Sequence, residues 1–227
     1  MVVGVRTLML VMRSVLLVLG TVTEESSHLL PIHLQQLYLY NGKWKCLCNA
    51  LPSPCLYFMT DITIVDCRNL ESLCCLSGGC TCTVVQTLQS LILRRLESLS
   101  IIRKKDVVDG VFNHLKKLFI TECHGLKSLL TIKVRRELLH LEEVTVHDCR
   151  SMVEIFAVND DNDNGSSSSL IFPKLNKLEL RGLPELKTVC KGIILCKSPP
   201  APIIIKCDKL EKQPRIQAFN DSDFPIF

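Results

Sequence analysis

The chain has 227 residues and is 47% hydrophobic but only 5% aromatic, with a formal net charge of +4 at pH 7. This length allows one large core, and the shortage of aromatic side chains fits an aliphatic core better than an enzyme pocket lined with rings. The positive charge is small and the sequence has no basic tract, so we expect no binding of nucleic acid.

The first 27 residues open with an apolar run, MVVGVRTLMLVMRSVLLVLG, that Arg6 and Arg13 interrupt. A membrane span needs about 20 apolar residues, and an arginine near its centre costs about 2.5–3.5 kcal/mol of insertion free energy. A signal peptide fits poorly too, because Arg13 leaves only residues 15–19 as a compact apolar centre and no A-x-A-like site follows. We expect residues 1–27 to be an irregular first copy of the repeat that follows, or spliced-on sequence, with a targeting or membrane role as the alternative.

A periodic pattern of apolar residues follows, and it is clearest at Leu115–Leu129, LKKLFITECHGLKSL. Leu118 and Ile120 are two residues apart, so both side chains point to the same side of a short strand. Cys123 marks the end of this strand, and two further leucines turn apolar side chains back inward. This is the leucine-rich repeat pattern L-x-x-L-x-L-x-x-C-x-x-L, in which each copy needs neighbours to bury its apolar face.

Seven copies of the pattern can be followed along the chain. Their strands are predicted to place a first apolar residue at Leu37, Ile62, Leu91, Leu118, Val144, Leu178 and, in an irregular seventh copy, Ile203. The long step before the sixth copy contains an acidic and then serine-rich insert, residues 159–169, which we expect to be a flexible surface loop. Three prolines (Pro199, Pro200 and Pro202) lie near the seventh strand, where a sheet needs backbone N–H donors, which proline lacks.

These repeats predict an α/β leucine-rich-repeat solenoid, or horseshoe, of six or seven turns over residues 28–214, with a tail at 215–227. We expect a parallel sheet on the concave face. The convex returns should be mostly irregular, with short helical turns. The L-x-x-L spacing also fits a helical period, but the recurrent I-x-V and L-x-L pairs favour strands.

The C-terminal repeats carry a more specific resemblance. Leu141–Phe156 is followed by the acidic insert, by Phe172–Cys190 (FPKLNKLELRGLPELKTVC) and by Ile203–Pro214 (IIIKCDKLEKQP). Over roughly residues 28–214 the chain resembles the C-terminal leucine-rich-repeat region of plant intracellular nucleotide-binding leucine-rich-repeat disease-resistance proteins of the coiled-coil type.

That resemblance implies a cytoplasmic role in innate immunity: sensing a pathogen effector or an effector-modified host protein, or restraining the nucleotide switch. The partner would be a protein. The sequence has no G-x-x-x-x-G-K-[ST] loop to cradle phosphates, so the chain is not expected to switch on ATP alone, and a nucleotide-binding domain in trans is a further candidate partner.

The 13 cysteines are an odd number, and Cys67, Cys123, Cys149 and Cys207 recur at one repeat position. We therefore expect reduced, buried thiols rather than a secreted disulfide framework. The cysteines between residues 46 and 82 have C-x-C and CC spacings, which do not match the paired C-x-x-C of zinc sites.

The stretch from Asp160 to Gly165 matches the start of a calcium-binding EF-hand loop, but the twelfth position is Ile171 instead of glutamate. We expect no metal site and no cofactor. The sequence also lacks G-x-S-x-G and H-E-x-x-H, so we expect no enzyme activity.

The candidate binding residues are the outward positions of the predicted strands, which would line the concave sheet. They are Tyr38, Tyr40, Thr63, Ile92, Arg94, Phe119, Thr121, Thr145, His147, Glu179 and Arg181. Their mixture of aromatic, arginine and uncharged polar groups suits protein recognition, because solenoids expose an extended surface for that purpose. A merely solvated sheet face is the alternative.

Two other classes of protein fit parts of the sequence. A secreted or membrane-tethered leucine-rich-repeat binding protein would use the apolar N-terminus, but the extracellular plant pattern N-x-L-x-G-x-I-P is absent. The second class is a receptor fragment that has no function of its own. A substrate-binding subunit of a ubiquitin ligase would require an adaptor-binding box, which the sequence lacks.

Overall fold

The computed structural model describes residues 8–12, 15–19, 35–47, 58–73, 87–102, 112–132, 138–158 and 169–219. In these ranges the chain forms strands and turns with no α-helix. The strands are β1 (Leu8–Met12), β2 (Val15–Leu19), β3 (Gln36–Tyr40), β4 (Asp61–Val65), β5 (Ser90–Arg94), β6 (Lys117–Thr121), β7 (Ser128–Ile132), β8 (Glu143–His147), β9 (Glu154–Val158), β10 (Ser169–Ile171), β11 (Lys177–Arg181), β12 (Thr188–Cys190), β13 (Ile193–Cys196), β14 (Ile203–Ile205) and β15 (Ile216–Ala218).

One large sheet organises the molecule. It has nine strands in the order β1-β2-β3-β4-β5-β6-β8-β11-β14. The β1–β2 pair is antiparallel, and every other neighbouring pair is parallel. Apart from β1 and β2, each strand of this sheet comes from one of the seven predicted repeats. The leucine-rich-repeat solenoid is therefore confirmed.

The register of the sheet stacks equivalent residues in columns. Leu91 pairs with Leu118, and Leu118 pairs with Val144. These inward side chains are almost completely buried and join one continuous core that runs from Leu37 to Cys196. Burying an aliphatic side chain of this size contributes about 1.5–3 kcal/mol, so the stacked columns are the main source of stability.

The returns between the large-sheet strands contain short strands that the sequence did not predict. Strands β7, β9 and β12 form one three-stranded parallel sheet, and β10, β13 and β15 form another. Because repeats stack at one strand spacing, the backbone groups of neighbouring returns come within hydrogen-bonding range and pair. Phe156 and Phe172, with ring centroids 4.9 Å apart, pack in the core between these returns.

The residue that follows each repeat strand adopts a left-handed backbone conformation. These residues are Asn41, Asp66, Arg95, Glu122, Asp148, Gly182 and Lys206, with φ between 52° and 61°. The N–H of each of the first six bonds to the carbonyl that ends the next large-sheet strand, as from Glu122 to His147 at 3.1 Å. A left-handed residue other than glycine costs about 1–2 kcal/mol, so these turn hydrogen bonds help to hold a strained position.

The recurrent cysteines lie one residue further on and point into the core. Cys67, Cys123 and Cys149 are fully buried, and the Cys149 thiol donates to the His147 carbonyl across 3.3 Å. Burial raises the pKa of the Cys149 thiol to about 11 and that of Cys123 to about 12. The seven cysteines within the described residues form no disulfide with one another.

The ends of the solenoid differ from its middle. β14 has only three residues, and the prolines at 199, 200 and 202 precede it, so they do not interrupt its pairing with β11. β15, within the range expected to be a tail, pairs with β13. Within the described ranges, no helix is long and apolar enough to cross a membrane.

Candidate functional site

The outward positions of the large sheet form three parallel rows, which together we term the outer face. The first row is Gln36, Asp61, Ser90, Lys117, Glu143 and Lys177. The middle row is Tyr38, Thr63, Ile92, Phe119, Thr145, Glu179 and Ile203. The last row is Tyr40, Val65, Arg94, Thr121, His147, Arg181 and Ile205.

All eleven predicted binding residues belong to the middle and last rows, so the structure brings them onto one surface. The sequence prediction omitted the first row and also Val65, Ile203 and Ile205 of the other two rows. The same two-residue alternation marks them, because every second residue of a strand faces outward. Thr145 and Glu179 are buried between their neighbours and offer little contact area, unlike the other predicted residues.

Two tyrosines dominate the outer face at β3. Tyr38 is 41% exposed and Tyr40 is 45% exposed. The Tyr40 hydroxyl donates a hydrogen bond to the Asp66 carboxylate. Asp66 is itself held by Arg95, with Nε–Oδ1 at 2.6 Å and Nη2–Oδ2 at 2.8 Å. These hydrogen bonds, that from Arg95 above all, keep the pKa of Asp66 below its usual value, so Asp66 is charged at neutral pH.

An arginine and a phenylalanine form the centre of the outer face. The Arg94 guanidinium lies 4.9 Å from the centroid of the Phe119 ring, a cation–π contact. The Phe119 ring in turn meets the His147 ring edge-on, with the centroids 5.8 Å apart. Aromatic contacts therefore continue across β5, β6 and β8.

At β11 one carboxylate is shared by two basic side chains. Glu179 Oε2 lies 3.0 Å from Lys177 Nζ, and Glu179 Oε1 lies 2.5 Å from Arg181 Nε. The Glu179 side chain is only 11% exposed. The hydrogen bond from Lys177, and after it that from Arg181, lowers the pKa of Glu179 despite burial, which acts in the opposite direction. This carboxylate is therefore ionised and satisfied within the protein.

His147 completes the β11 cluster from the neighbouring strand. Its Nε2 lies 3.3 Å from Glu179 Oε1, close enough for an ion pair when the imidazole is protonated. In this orientation His147 Nε2 makes no hydrogen bond to any group in the described part of the chain. On the first row, Lys117 Nζ and Glu143 Oε1 form another pair at 2.9 Å. The carboxylates of the outer face around β8 and β11, Glu143 and Glu179, thus each have a basic partner within the protein.

A shallow depression of about 390 Å³ adjoins the last row, where β6, β8 and β11 end. Its lining residues are Glu122, His124, Asp148, Arg150, Gly182 and Pro184. The described residues contain no group of three or more His, Cys, Asp or Glu side chains with a geometry that could hold a metal ion. Of the cysteines between residues 46 and 82, only Cys46 and Cys67 lie within the described ranges, and Asp160–Gly165 lies outside them.

The comparison with protein families identifies these repeats. Residues 87–212, more than half of the chain, match the family model for leucine-rich repeats of RPS2-like plant disease resistance proteins. This match includes the large-sheet strands from β5 to β14. No curated protein and no solved structure matches the chain. With its stacked parallel strands and its buried L-x-L pairs, the chain belongs to the RPS2-like leucine-rich repeats of plant disease resistance proteins.

Proposed function

We propose that the chain is a protein-recognition module of plant defence, and that it binds a pathogen effector or an effector-modified host protein through the outer face. We also propose that it acts in the cytoplasm and has no catalytic activity of its own. A nucleotide-binding domain supplied in trans would be its second partner, restrained by the repeats until the first partner binds.

The observation that supports this proposal is the composition of the outer face. The inward side chains fill the core, and the side chains of the middle and last rows are not part of it. These rows nevertheless carry tyrosines, a phenylalanine and arginines, the residues that dominate the binding energy of protein interfaces. A solvent-exposed face that binds no partner would be expected to carry mostly short polar and charged groups instead.

The cytoplasmic location is supported by the family and by the cysteines. The described thiols pack as small apolar side chains, which suits a reducing compartment better than an oxidising one.

Photocrosslinking tests the recognition proposal and does not require the partner to be identified beforehand. We would place p-benzoylphenylalanine at Phe119, on the outer face, in the full chain expressed in leaf tissue. Tissue challenged with a pathogen would be compared with untreated tissue. The expected result is one crosslinked protein that is either of pathogen origin or a host protein altered by the challenge.

A matched control places the same crosslinker at Lys174, an exposed residue of a return turn outside the outer face. This position should not give the specific product. Identical products from both positions would contradict recognition by the outer face. Recovery of ribosomal and chaperone proteins alone would favour a receptor fragment that has no function of its own.

A further inference from the structure

The two halves of the outer face differ in how their charges are satisfied. Around β8 and β11, the carboxylate of the middle row, Glu179, has basic partners in Lys177 and Arg181. Between β3 and β6, the middle and last rows are Tyr38, Thr63, Ile92 and Phe119, and Tyr40, Val65, Arg94 and Thr121. Arg94 is the only charged residue among these eight, which we term the tyrosine–arginine patch.

The Arg94 guanidinium has no carboxylate partner within the described residues. Asp66, which follows the neighbouring strand β4, is engaged by Arg95 through two hydrogen bonds, and Glu97 lies 3.6 Å from Arg68. On the first row, Glu143 is paired with Lys117, and Asp61 accepts a hydrogen bond from the Thr60 hydroxyl at 2.7 Å. Arg94 is instead held against the Phe119 ring, with its donors available to another molecule.

Side chains of the patch are also held in place before any partner binds. Tyr40 is tied to the Asp66–Arg95 pair, and Arg94 is stacked on Phe119. Binding a partner would therefore immobilise few side chains that were not already ordered, which lowers the entropic cost of association. The exposed tyrosines lie on one side of the arginine, Val65 lies between Tyr40 and Arg94 in the last row, and Ile92 lies two residues before Arg94 on β5.

From this arrangement we infer that the tyrosine–arginine patch docks an acidic segment of a partner protein, with a carboxylate on Arg94 and a neighbouring aliphatic or aromatic side chain against Tyr38 and Tyr40. A guanidinium binds a carboxylate through two parallel hydrogen bonds, and surrounding apolar groups that exclude water strengthen that contact. The inference rests on the proposed recognition function and adds to it the chemistry of the partner and its place on the face.

Peptide binding to the full chain tests this inference. We would probe an array of random 12-residue peptides and resynthesise the best-retained peptide in three forms: unchanged, with Asp and Glu replaced by Asn and Gln, and with Asp and Glu replaced by Lys. The unchanged peptide should contain a carboxylate beside an apolar residue. It should bind about tenfold more tightly than the amide form, and its affinity should fall as salt is added.

Charge reversal locates the contact. Arg94→Glu should abolish the preference for the acidic peptide and shift it to the lysine form. Arg68→Glu is the matched control, because Arg68 is an exposed arginine of a neighbouring turn that lies outside the outer face. It should leave all three affinities unchanged. Thermal unfolding of both variants, and of Arg94→Gln, separates loss of contact from loss of fold.

The remaining outcomes distinguish this inference from the broader proposal. Equal affinity for the acidic and amide peptides would overturn the inference, as would an empty array. Binding that is lost on Arg181→Glu but not on Arg94→Glu would also overturn it, while leaving recognition by the outer face intact. Binding that is indifferent to both substitutions would overturn the inference and the proposed function together.

Discussion

At the scale of single residues, the left-handed position after each strand shows how one side chain can lower the free energy of unfolding. Six of the seven residues there are not glycine, and each tolerates a positive φ. Gly182 is the exception, with φ at +61° and the Asp148 carboxylate close to the position that a Cβ would occupy. A Cβ at this position would meet Asp148 Oδ1, so alanine would carry both the strain of a positive φ and the cost of displacing the Asp148 side chain.

Gly182→Ala should therefore destabilise the chain. The left-handed backbone alone should lower the free energy of unfolding by about 1–2 kcal/mol, and displacement of the Asp148 side chain should add to the loss. Urea unfolding followed by circular dichroism measures the change.

Glu122→Gly is the matched control, since Glu122 occupies the equivalent position with φ at 54°. Relief of strain there is opposed by the greater freedom of glycine in the unfolded chain, so stability should be unchanged or slightly higher. A similar loss of stability in both variants would show that the left-handed column does not control stability.

The buried cysteines give a second prediction at this scale, through their protonation. Burial raises the pKa of the Cys149 thiol to about 11, so at pH 8 it holds far less thiolate than a thiol of ordinary pKa. The thiolate is the reactive form, and a pKa higher by two units lowers its population at pH 8 by about 100-fold. Iodoacetamide at pH 8 should therefore leave Cys149 and Cys123 unmodified in the folded protein.

Peptide mass spectrometry after timed labelling measures this difference. Cys207, which is only half-buried, should be modified first among the recurrent cysteines. In urea all of them should react at similar rates, which controls for differences between peptides. Rapid modification of Cys149 without denaturant would contradict its placement in the core.

At the scale of the element, each five-residue strand divides its side chains between core and outer face. β6 illustrates this: Leu118 is buried between Leu91 and Val144, while Lys117 is exposed and pairs with Glu143. Neighbouring residues of one strand should thus respond to substitution in opposite ways.

Leu118→Asp should unfold the central repeats, because it removes an aliphatic core residue and buries a carboxylate without a partner. The combined cost should exceed about 4 kcal/mol, a large part of the stability of a typical domain. Lys117→Ala should leave the melting temperature nearly unchanged, since exposed ion pairs contribute little. Thermal unfolding compares the two variants, and equal melting temperatures would contradict the assigned strand orientation.

The elements also show how much of the fold and the site could be predicted from the sequence. Pairs such as Leu118 and Ile120 predicted the large-sheet strands, because a two-residue spacing has one structural meaning when it recurs with every repeat. The same alternation predicted that Tyr38, Arg94 and the other candidate residues face outward together. The binding role of this face stays a prediction.

Other features depend on neighbours that the sequence does not bring together. The return strand β9 pairs with β7 and β12, each from a different repeat, and no pattern within one return specifies that pairing. The approach of His147 to Glu179 likewise requires the register that places β8 beside β11. The sequence therefore predicted which side chains share a surface, but not which of them contact one another across neighbouring strands.

At the scale of the whole molecule, stability is distributed by stacking. Each repeat contacts chiefly the repeat before it and the repeat after it, so a repeat with two neighbours should be more stable than one at an edge. β8 lies between β6 and β11, whereas β14 ends the large sheet and pairs only with β11 among the described strands.

Hydrogen exchange should show this gradient. The amides of β8 should exchange at least about tenfold more slowly than those of β14, because β14 opens without disturbing a second interface. Mass spectrometry of peptic peptides at pH 7 measures the rates, with β11 expected to lie nearer to β8. Uniform rates from β8 to β14 would indicate that the solenoid unfolds as one cooperative unit.

The parallel register of the large sheet has a geometric consequence for any partner that lies along a row. Residues of one row advance by one strand spacing, about 4.7–4.9 Å. A helix repeats one stripe of side chains every three to four residues, or about 4.5–6 Å, whereas one side of an extended chain repeats about every 6.4–6.8 Å. A helix lying along the row from Tyr40 through Val65 and Arg94 can thus stay in step with successive strands. An extended segment drifts out of step after two or three strands, so it can match only a short part of the row.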